Sequence, residues 1–590
     1  MAGPSKRVRF GDSDYEETLT KWLDEECDSA SDIDIVLEDC MGVTDHDSNS
    51  ECSVSEGDED EESCEMQPDS NHKTHVFGKN RYRWSTTEVR PSSKTRKSNI
   101  ITRAQGLTEK AKMLGDVADP FSVWNMVFSD NILMHILQCT NKKLSYMREK
   151  YHDNSRHHLK EMDMTELKGF LGLLVYTAIF NSRHENIDRI FATDGTGREI
   201  FRAVMSKKRF SVLLTAIRFD DVDSRAERLK HDPVAPISFI FDNFIENCKS
   251  LYFIGESATV DEMLVSFRGR CRFKMYMPNK PAKYGLKIQC LTDSRTSYLY
   301  NAYIYCGKDS DGFGLTAEER KLLKPTQAML RLAEPLFNSN INITADNWYS
   351  SIQLVDVLRT KKLTYVGTLR KNKAEIPASF LPSRKRLEGS TLYAFREECT
   401  LISHVGKIGK AAILISSMHD RQADTSSNKP EIISYYNANK GGVDTLDEIC
   451  AKSTSSRRTR RWPLVIFFRL LDISTVNSYI LHQCYKNNPI IKEKSDFLMQ
   501  LAKQLVKGHA ERRSNMKNIP RELRFTIRRI LGISDEPGEA ETDALVLQKR
   551  KTCHICPSRK RRMTKYLCLQ CRKPVCLECT NPICKNCTSK

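Results

Sequence analysis

Apolar residues recur every three or four positions through much of residues 118–256, the spacing that places them on one face of a helix. The clearest stretch begins at Met164, and a second lies near 205–219. In the first stretch the recurring positions are Leu167, Phe170, Leu171, Leu174, Val175 and Ala178. The pattern predicts that residues 118–256 are mainly helical. The longest apolar run, 170–180, is shorter than the ~18 residues needed to cross a membrane, so we expect no membrane association.

The pattern changes after residue 257, where β-prone runs alternate with a helical one over 350–359. The strand-like runs are 258–265, 286–291, 298–305, 341–346 and 363–369. Strands interleaved with helices predict an α/β sheet. Residues 373–430 have the pattern of a separate β-rich insert, and helical spacing returns over 443–530.

Charge divides the chain into an acidic start and a basic body. Residues 1–70 hold 23 Asp and Glu against four Lys and Arg, a net charge of −19, so the chain's net charge of +16 leaves +35 for residues 71–590. A basic body suits a nucleic acid, although a ribosome- or membrane-surface protein, or an ordinary soluble basic protein, has the same property. The acidic start has too few apolar residues to fold, and we expect residues 1–78 to be disordered.

Residues 79–117 begin with a basic stretch that also contains Tyr82 and Trp84. Its cations are Lys79, Arg81, Arg83, Arg90, Lys94, Arg96, Lys97 and Arg103. An arm of this composition suits contact with DNA, but a solvated linker has the same composition, and the sequence leaves both interpretations open.

Eight of the twenty cysteines form four Cys-x-x-Cys pairs near the C-terminus: Cys553/Cys556, Cys568/Cys571, Cys576/Cys579 and Cys584/Cys587. Such a turn brings two thiolates to one tetrahedral metal, so the pairs predict two structural Zn²⁺ ions. Their spacing favours a cross-brace, with pairs one and three on one ion and pairs two and four on the other; a sequential arrangement stays open. The twelve scattered cysteines, with no secretory signal before them, indicate a reducing compartment and argue against disulfides.

Several aspartates lie where a metal-dependent phosphoryl-transfer site needs them. Asp261 follows a β-prone run and Asp346 closes another. Asp444 and Asp447 are three residues apart, so they face the same side of a helix. Carboxylates that converge in this way can hold two Mg²⁺ ions. With 76 acidic residues the chain offers many such trios, and the spacing alone is a weak signal.

Longer motifs surround these aspartates. They are Asp261-Glu-Met-Leu-Val-Ser-Phe-Arg-Gly-Arg270, Tyr276-Met-Pro-Asn-Lys-Pro-Ala-Lys-Tyr-Gly-Leu-Lys287, Thr344-Ala-Asp-Asn-Trp-Tyr-Ser-Ser351 and Tyr435-Tyr-Asn-Ala-Asn-Lys-Gly-Gly-Val-Asp-Thr-Leu-Asp447. In order and spacing they resemble the catalytic-core signatures of the piggyBac transposase family, especially those of its founding insect group. The resemblance extends from about Lys79 to the C-terminus.

The resemblance implies a multidomain α/β protein with an RNase H-like catalytic core. Asp261, Asp346 and Asp444 would hold two Mg²⁺ ions per active site, with Mn²⁺ as a substitute, and Asp447 matches a fourth aspartate that the family needs. The implied function is that of a cut-and-paste DNA transposase, which binds the terminal repeats of its element, excises it through hairpin ends and inserts it at TTAA. Because two element ends must be cut together, we expect a homodimer or a higher homo-oligomer.

Two basic stretches are candidates for DNA contact, one beside the Asp261 motif and one after the Asp444 motif. Arginine makes fork-like contacts to phosphate and tryptophan stacks on an unpaired base, although a solvated helix start has the same composition. The candidates are Arg268, Arg270, Lys280, Lys283, Lys287, Arg457, Arg458, Arg460, Arg461 and Trp462. The resemblance implies that the Arg-Trp-Pro step at 461–463 lies beside the cleavage site.

Patterns and resemblance together divide the chain into regions. These are an acidic N-terminal region (1–78), a basic arm (79–117), a helical dimerisation and DNA-binding domain in two parts (118–256 and 454–533), a catalytic core in two parts (257–372 and 431–453), a β-rich insertion domain (373–430), a linker (534–552) and a small cross-brace zinc domain (553–590). Cys579 stands where the founding family member has histidine, and a thiolate serves zinc equally well.

Basic runs at 549–551 and 559–562 are typical of nuclear import signals or phosphate contacts. They predict a nuclear protein that the import machinery recognises. Two alternatives remain. One is a domesticated DNA-binding protein on the same scaffold that no longer cuts, against which all four aspartates are present. The other is a zinc-dependent ubiquitin ligase, since a cross-brace resembles a RING or PHD module; the α/β body and its charge argue against it.

Overall fold

A thirteen-stranded mixed β-sheet lies at the centre of the computed structural model, which describes residues 42–43, 52–53, 74–88, 96–150, 157–397, 399–423, 429–533, 546–568 and 573–581. The strands are β1 (Gly42–Val43), β2 (Cys52–Ser53), β3 (His75–Phe77), β4 (Arg83–Ser85), β5 (Gly106–Leu107), β6 (Tyr252–Phe253), β7 (Ser257–Ser266), β8 (Lys274–Tyr276), β9 (Tyr284–Asp293), β10 (Leu299–Ile304), β11 (Asn342–Ala345), β12 (Thr364–Thr368), β13 (Thr391–Arg396), β14 (Cys399–Lys407), β15 (Lys410–Ser416), β16 (Val546–Thr552) and β17 (Met563–Tyr566). The path through the sheet is β1-β8-β9-β7-β11-β12-β15-β14-β13-β4-β3, with β10 on β9 and β2 on β15.

Helices precede, interrupt and follow the strands of the sheet. They are α1 (Glu109–Lys112), α2 (Pro120–Val127), α3 (Asp130–Lys150), α4 (Met164–Ile179), α5 (Ile187–Ile190), α6 (Glu199–Val204), α7 (Lys207–Ala216), α8 (Val222–Arg228), α9 (Ser238–Leu251), α10 (Lys324–Ala333), α11 (Ile352–Thr360), α12 (Glu431–Asn439), α13 (Gly442–Lys452), α14 (Trp462–Cys484), α15 (Lys494–Ser514) and α16 (Arg521–Leu531). The multidomain α/β class predicted from the alternation of patterns is confirmed.

The middle of the sheet mixes parallel and antiparallel pairs. Strand β9 runs antiparallel to β7, and β10 antiparallel to β9. Strands β11 and β12 run parallel to β7, each reached through a helical connection. Strand β7 is buried along nearly its whole length, which accounts for its β-branched and apolar run rather than a simple alternation.

Capping side chains fix where the main helices begin. The Asp163 carboxylate accepts a hydrogen bond from the backbone N–H of Glu166 at the start of α4. Asp119 caps α2, whose first residue is Pro120. Ser351 does the same for α11. The helices predicted near 164–178, 205–219 and 350–359 therefore start within three residues of the expected positions.

Helices from both ends of the chain pack into one helical unit beside the sheet. Helix α15 lies so close to α4 that a Cβ added at Gly172 would be 2.5 Å from Val506 Cγ1. Helix α14 lies against α2, where Trp124 Nε1 donates to Ser474 Oγ at 2.8 Å. Residues separated by more than 300 positions thus share one core, as the two-part helical domain requires.

Helix α14 is long and apolar enough to cross a membrane by length and composition alone. Of its most hydrophobic stretch, 78% is buried inside the fold. The helix also carries Arg469 and a buried Asp472, whose carboxylate accepts three hydrogen bonds from Thr454 and Ser455. These are features of a core helix.

The structure corrects two predicted boundaries in the sheet. The β-rich insert is not separate, because β15 pairs with β12 and extends the central sheet. Part of the basic arm joins the same sheet: β4 pairs with β13, Trp84 is fully buried, and its Nε1 donates to the Glu375 carbonyl at 2.9 Å. Trp84 is therefore a packing residue and neither a DNA contact nor part of a solvated linker.

Two further regions are described only in part. Of the predicted disordered region 1–78, residues 42–43, 52–53 and 75–77 form short strands and Gly78 bridges to Pro377, while the prediction for 1–41, 44–51 and 54–73 lies outside the described residues. Of the predicted linker, residues 546–552 form β16, which pairs with β17 of the cysteine-rich tail. The tail therefore begins before the first cysteine.

Candidate active site

Asp261 and Asp346 lie side by side on two neighbouring parallel strands, Asp261 within β7 and Asp346 immediately after β11 ends. Val260 of β7 and Ala345 of β11 are register partners, and each aspartate is the next residue along its strand. Since neighbouring strands are about 4.8 Å apart, this register brings the two carboxylates close together. The sequence pattern placed Asp346 correctly at a strand end, whereas Asp261 lies inside β7, which continues beyond it to Ser266.

Asp444 reaches the same region from the first turn of α13. A Cβ added at Gly442 would lie 2.6 Å from Thr292 Oγ1 and 2.7 Å from Thr259 Oγ1, so only glycine lets this helix start rest on β7 and β9. Just before it, Thr259 Oγ1 donates to the Asn439 carbonyl at 2.5 Å. The close backbone approach expected from the glycine pair is present.

Lys280 lies among the acidic side chains. Its Nζ is 3.5 Å from Asp444 Oδ1 and 3.7 Å from Glu262 Oε1, and it donates to the Glu262 carbonyl at 3.3 Å. The side chain is only 20% exposed. Burial disfavours the ammonium, but Asp261, Glu262 and Asp444 together raise the pKa of Lys280 above its ordinary value. Lys280 is thus a counter-ion of the acidic group.

The carboxylates repel one another strongly. Burial, Glu262 and Asp444 raise the pKa of Asp261 well above its usual range, against the effect of Lys280. Burial and then Asp261 raise the pKa of Asp346 to about 7, although the N–H of Trp348 donates to Asp346 Oδ1 at 3.0 Å. Burial also raises the pKa of Glu262, which Lys287 and Lys280 oppose. The four carboxyl groups of this acidic group, those of Asp261, Glu262, Asp346 and Asp444, outnumber the two lysines beside them, Lys280 and Lys287.

Hard divalent cations fit this set of ligands. Carboxylate oxygens are what Mg²⁺ prefers, and the mutual repulsion of Asp261 and Asp346 is what a bound dication relieves. The group is more open than a closed metal cage: within the described ranges, the tail cysteines are the one set of three or more ligand atoms that all lie within 4.8 Å of one another. Asp261, Asp346 and Asp444 could hold ions that also have open positions for substrate oxygens.

Asp447 has a different environment from Asp444. Its Oδ1 lies 3.0 Å from Nη1 of Arg469 on α14, and the Arg469 side chain is 13% exposed. Sequence reasoning missed Arg469 because an arginine inside an apolar helix has no motif of its own. It also missed Glu262, which a simple strand alternation would turn away from Asp261; β7 is buried on both faces, so both carboxylates are enclosed.

The predicted DNA contacts separate into exposed and enclosed side chains. Arg268, Arg270, Lys283, Arg458 and Arg460 are exposed. The two basic stretches meet, since a Cβ added at Gly269 would lie 2.9 Å from the Arg460 carbonyl. The exposed arginines therefore form one basic surface from two parts of the chain.

Three of the predicted contacts are used inside the protein. Lys287 is 1% exposed, and its Nζ lies 4.8 Å from the centre of the Trp348 ring. Arg457 donates to the carbonyls of Ser182 and Glu185 at 3.2 and 2.6 Å. Arg461 donates to the carbonyls of residues 215 and 217, at the end of α7. Lys287 is buried, whereas Arg457 and Arg461 stay partly exposed while they donate to backbone carbonyls, and the assignment of the three as phosphate contacts stays a prediction.

Trp462 is half-buried at the start of α14. Its ring meets that of Phe273 edge-on, with centroids 5.0 Å apart and planes at 78°. Phe273 is itself buried. Trp462 therefore packs in part against the fold and stays partly accessible, two residues after the exposed Arg460.

The tail holds a candidate zinc site. The sulfurs of Cys553, Cys556, Cys576 and Cys579 all lie within 4.8 Å of one another. Cys556 Sγ is 3.5 Å from Cys579 Sγ and 3.6 Å from Cys576 Sγ, which is far longer than a disulfide and close to the edge of a tetrahedron with ~2.3 Å Zn–S bonds. The first and third pairs share this site, as the cross-brace predicts.

A backbone hydrogen bond favours the thiolate form at this site. The N–H of Cys576 donates to Cys553 Sγ at 3.3 Å, and this bond lowers the pKa of Cys553 to about 6. Hydrogen bonds with Cys556 and Cys576 raise the pKa of Cys579 to about 12, and a bound zinc ion would instead favour its thiolate. Of the second predicted site, Cys571, Cys584 and Cys587 lie outside the described residues.

Several known proteins are similar to this chain in sequence, and one solved structure is also similar to it in fold. A family model described as Transposase IS4 matches residues 119–479. A solved structure described as a piggyBac transposase synaptic complex with hairpin DNA superposes with a TM-score of 0.73 and 33% sequence identity, covering 82% of this chain and all of that one. The human PiggyBac transposable element-derived protein 2 is 22% identical over 453 residues, 73% of this chain and 72% of its own length. The human PiggyBac transposable element-derived protein 5 is 21% identical over 395 residues, 64% of this chain and 73% of its own.

Proposed function

The chain belongs to the piggyBac transposase family, and from that premise we propose that it is a cut-and-paste DNA transposase whose active site is built on Asp261, Asp346 and Asp444. The observation that supports this most directly is the register pair Val260–Ala345, which is followed on both strands by an aspartate. In this proposal the core is RNase H-like. The order β10-β9-β7-β11-β12, with its last two strands parallel to β7, supports that assignment.

Asp261, Asp346 and Asp444 would hold two Mg²⁺ ions, with Mn²⁺ as a substitute. Ions in this position supply Lewis-acid stabilisation of the oxygens that enter and leave the phosphorus. The chain's own contribution is to fix the three carboxylates on two strands and one helix, so that little reorganisation is needed when the substrate arrives. Glu262 adds negative charge beside these carboxylates, and Lys280 adds positive charge.

DNA would lie across the surface formed by the exposed Arg268, Arg270, Lys283, Arg458 and Arg460. From there its backbone would reach the carboxylates of the active site. Phosphate contacts position the duplex without reading its sequence, and each contact makes binding more sensitive to salt. The half-buried Trp462 lies next to this surface and offers an indole face to an unpaired base. We assign the sequence-specific steps, excision through hairpin ends and insertion at TTAA, to this neighbourhood.

We further propose that the protein acts as at least a dimer on two element ends. The related solved structure is described as a synaptic complex with hairpin DNA, and the shared fold and sequence support the same assembly for this chain. The cysteine-rich tail would bind two zinc ions, and its basic runs at 549–551 and 559–562 would serve nuclear import. The tail would fold only with zinc, because so short a segment has little core of its own.

Strand cleavage tests the catalytic proposal. A DNA end that carries a TTAA junction is incubated with the full chain, with and without Mg²⁺. The variants are D261N, D346N and D444N, and the matched control is D309N, at a fully exposed aspartate outside the acidic group. We expect metal-dependent nicking by the wild type and D309N, and at least ~1000-fold slower nicking by each of the other three, since loss of one metal ligand removes several kcal/mol of stabilisation. DNA binding should change little.

The same assay tests the alternative that the protein is a domesticated DNA-binding protein. That alternative is suggested by relatives whose names describe them as derived from transposable elements. Binding of the DNA end without nicking by the wild type, under conditions in which the tail keeps its zinc, would support the alternative and refute the enzyme.

A further inference from the structure

The carboxylate of Asp447 is held by an arginine from another helix. Arg469 Nη1 lies 3.0 Å from Asp447 Oδ1, with the guanidinium largely enclosed and the carboxylate 37% exposed. An enclosed guanidinium needs an anion, because an unpaired buried charge is strongly unfavourable. Burial disfavours the guanidinium, but Cys450, Asp447 and Asp472 together raise the pKa of Arg469. The ion pair with Asp447 therefore joins α13 to α14, beside a second contact of Arg469 with Cys450 of α13.

Asp447 lies one helical turn after Asp444. Residues three apart on a helix share a face, so a restraint on Asp447 also restrains the rotation and position of the turn that carries Asp444. Asp444 needs such support because it stands in the first turn of α13 and its side chain is 68% exposed. The guanidinium that restrains the helix lies in the interior, whereas the Asp444 carboxylate that it positions lies at the surface.

Helix α14 holds a second part of the same substructure. Asp472, three residues after Arg469, accepts hydrogen bonds from Thr454 Oγ1 at 2.6 Å, from Ser455 N at 2.8 Å and from Ser455 Oγ at 2.7 Å. These residues begin the segment between α13 and α14, which carries the exposed Arg458 and Arg460 and ends at Trp462. One helix thus anchors both the candidate DNA-contact segment and the helix of Asp444.

We propose that Arg469 is a positioning residue: through its ion pair with Asp447 it sets the position of Asp444 in the metal-binding group. The inference rests on the function proposed above for Asp444. It gives Asp447 the role of a structural anion, with Asp444 as the ligand.

The test is a double-mutant cycle in the full-length protein with R469M, D447N and the D447N/R469M combination, and with R469K as the conservative variant. Metal binding is measured without chemistry, from the Ca²⁺ concentration that half-saturates the thermal shift or a calorimetric titration. Single-turnover nicking and DNA-end binding are measured in parallel. D444N is the reference for a lost ligand, and D309N is the control for an exposed aspartate.

We expect R469M and D447N each to raise the half-saturating Ca²⁺ concentration about tenfold and to slow nicking about 100-fold, since a displacement of about 1 Å at a reacting centre has that effect. DNA-end binding should stay within about twofold of the wild type. The combined variant should lose clearly less than the sum of the two single losses, because both remove the same ion pair. R469K should recover most of the loss in both measurements, which a merely space-filling role would not produce.

Additive losses in the combined variant would overturn the inference, because they would show independent roles. So would a D447N protein that loses its Ca²⁺ response as D444N does while R469M keeps the wild-type value, since Asp447 would then be a ligand. Should R469M fail to melt cooperatively, R469K and D447E decide the question by the same comparison. A wild type that binds Ca²⁺ but cuts no DNA refutes the proposed enzyme and still permits this test, whereas a wild type without any Ca²⁺ response refutes both.

Discussion

The ammonium of Lys280 lies 3.5 Å from the carboxylate of Asp444. This contact occupies an oxygen that a metal ion needs, so the lysine and a dication compete for the same carboxylate. We expect K280M to bind Ca²⁺ about fivefold more tightly than the wild type, since an ion pair with one exposed partner contributes about 1 kcal/mol. The metal-free variant should also melt at a lower temperature.

Calorimetric titration with Ca²⁺ measures the first effect, and thermal melting without metal measures the second. K283M is the matched control, because Lys283 is exposed and belongs to the same motif. Weaker Ca²⁺ binding by K280M would contradict the competition and would indicate that Lys280 helps to assemble the site.

Asp346 predicts a pH dependence of stability. Burial and Asp261 raise its pKa from the ordinary 3.8 to about 7, so between these values the folded protein holds a proton that the unfolded chain has released. The metal-free protein therefore loses stability as the pH rises through this window, and the loss is complete above about pH 7. Since one pKa unit corresponds to about 1.4 kcal/mol and solvent screens part of it, we expect D346N to gain about 2 kcal/mol in the free energy of unfolding at pH 8.

The gain should shrink towards pH 4, and saturating Mg²⁺ should reverse it, because the wild type then gains binding energy that D346N lacks. Denaturant unfolding at pH 4, 6 and 8, with and without Mg²⁺, measures both effects. D309N should show neither. A D346N protein that is less stable than the wild type at pH 8 without metal would mean that the carboxylate is satisfied by the fold alone.

The α/β class and most helix and strand positions could be predicted because they depend on local periodicity, which is visible in the sequence. The placement of Asp346 at the end of β11 also followed from local patterns, whereas Asp261 lies inside β7 and meets Asp346 through the register of the two strands. The partners of charged side chains could not be predicted in this way. Lys287, Arg457 and Arg461 have the composition of a phosphate-binding surface, yet the first is buried and the other two donate to backbone carbonyls far away in sequence.

Long-range pairing explains the other differences. The insert was expected to be separate because no local signal reveals that β15 pairs with β12. The same holds for Trp84, whose partner Glu375 is 291 residues away. The cysteine pairs are the opposite case: tetrahedral zinc chemistry restricts their combinations so strongly that spacing alone favoured the grouping of Cys553 with Cys576.

Zinc stoichiometry tests the pairing in the tail. We expect two zinc ions per wild-type chain, and one in C553S/C576S, because the cross-brace places both of these cysteines on the same ion. The combination C553S/C568S should lose both ions. A sequential arrangement predicts the reverse result for the two double variants, so metal analysis of the purified proteins separates the arrangements.

The tail variants should leave the rest of the fold intact. Chelation of zinc is expected to expose the region after residue 545 to protease while a fragment ending near residue 533 persists, because the tail is held by metal and the body by its own core. Digestion of the body at the same rate as the tail would show that the two fold together.

Trp462 has both a packing contact and an accessible face, and the two roles make different predictions. Its edge-on contact with Phe273 is internal, while the indole face beside the exposed arginines is available to a splayed base. Stacking on a base is worth about 1–3 kcal/mol, so W462A should slow hairpin formation and target joining by about 10-fold or more. First-strand nicking, which needs no splayed base, should change by less than about threefold. Gel assays that resolve the three steps on one labelled DNA end measure these rates separately.

F273L is the matched control, because it disturbs the packing and leaves the indole in place, and it should affect the three steps equally. W462F, which keeps an aromatic face, should lie between W462A and the wild type. An equal loss at all three steps in W462A, accompanied by a lower melting temperature like that of F273L, would make Trp462 a core residue with no part in holding distorted DNA.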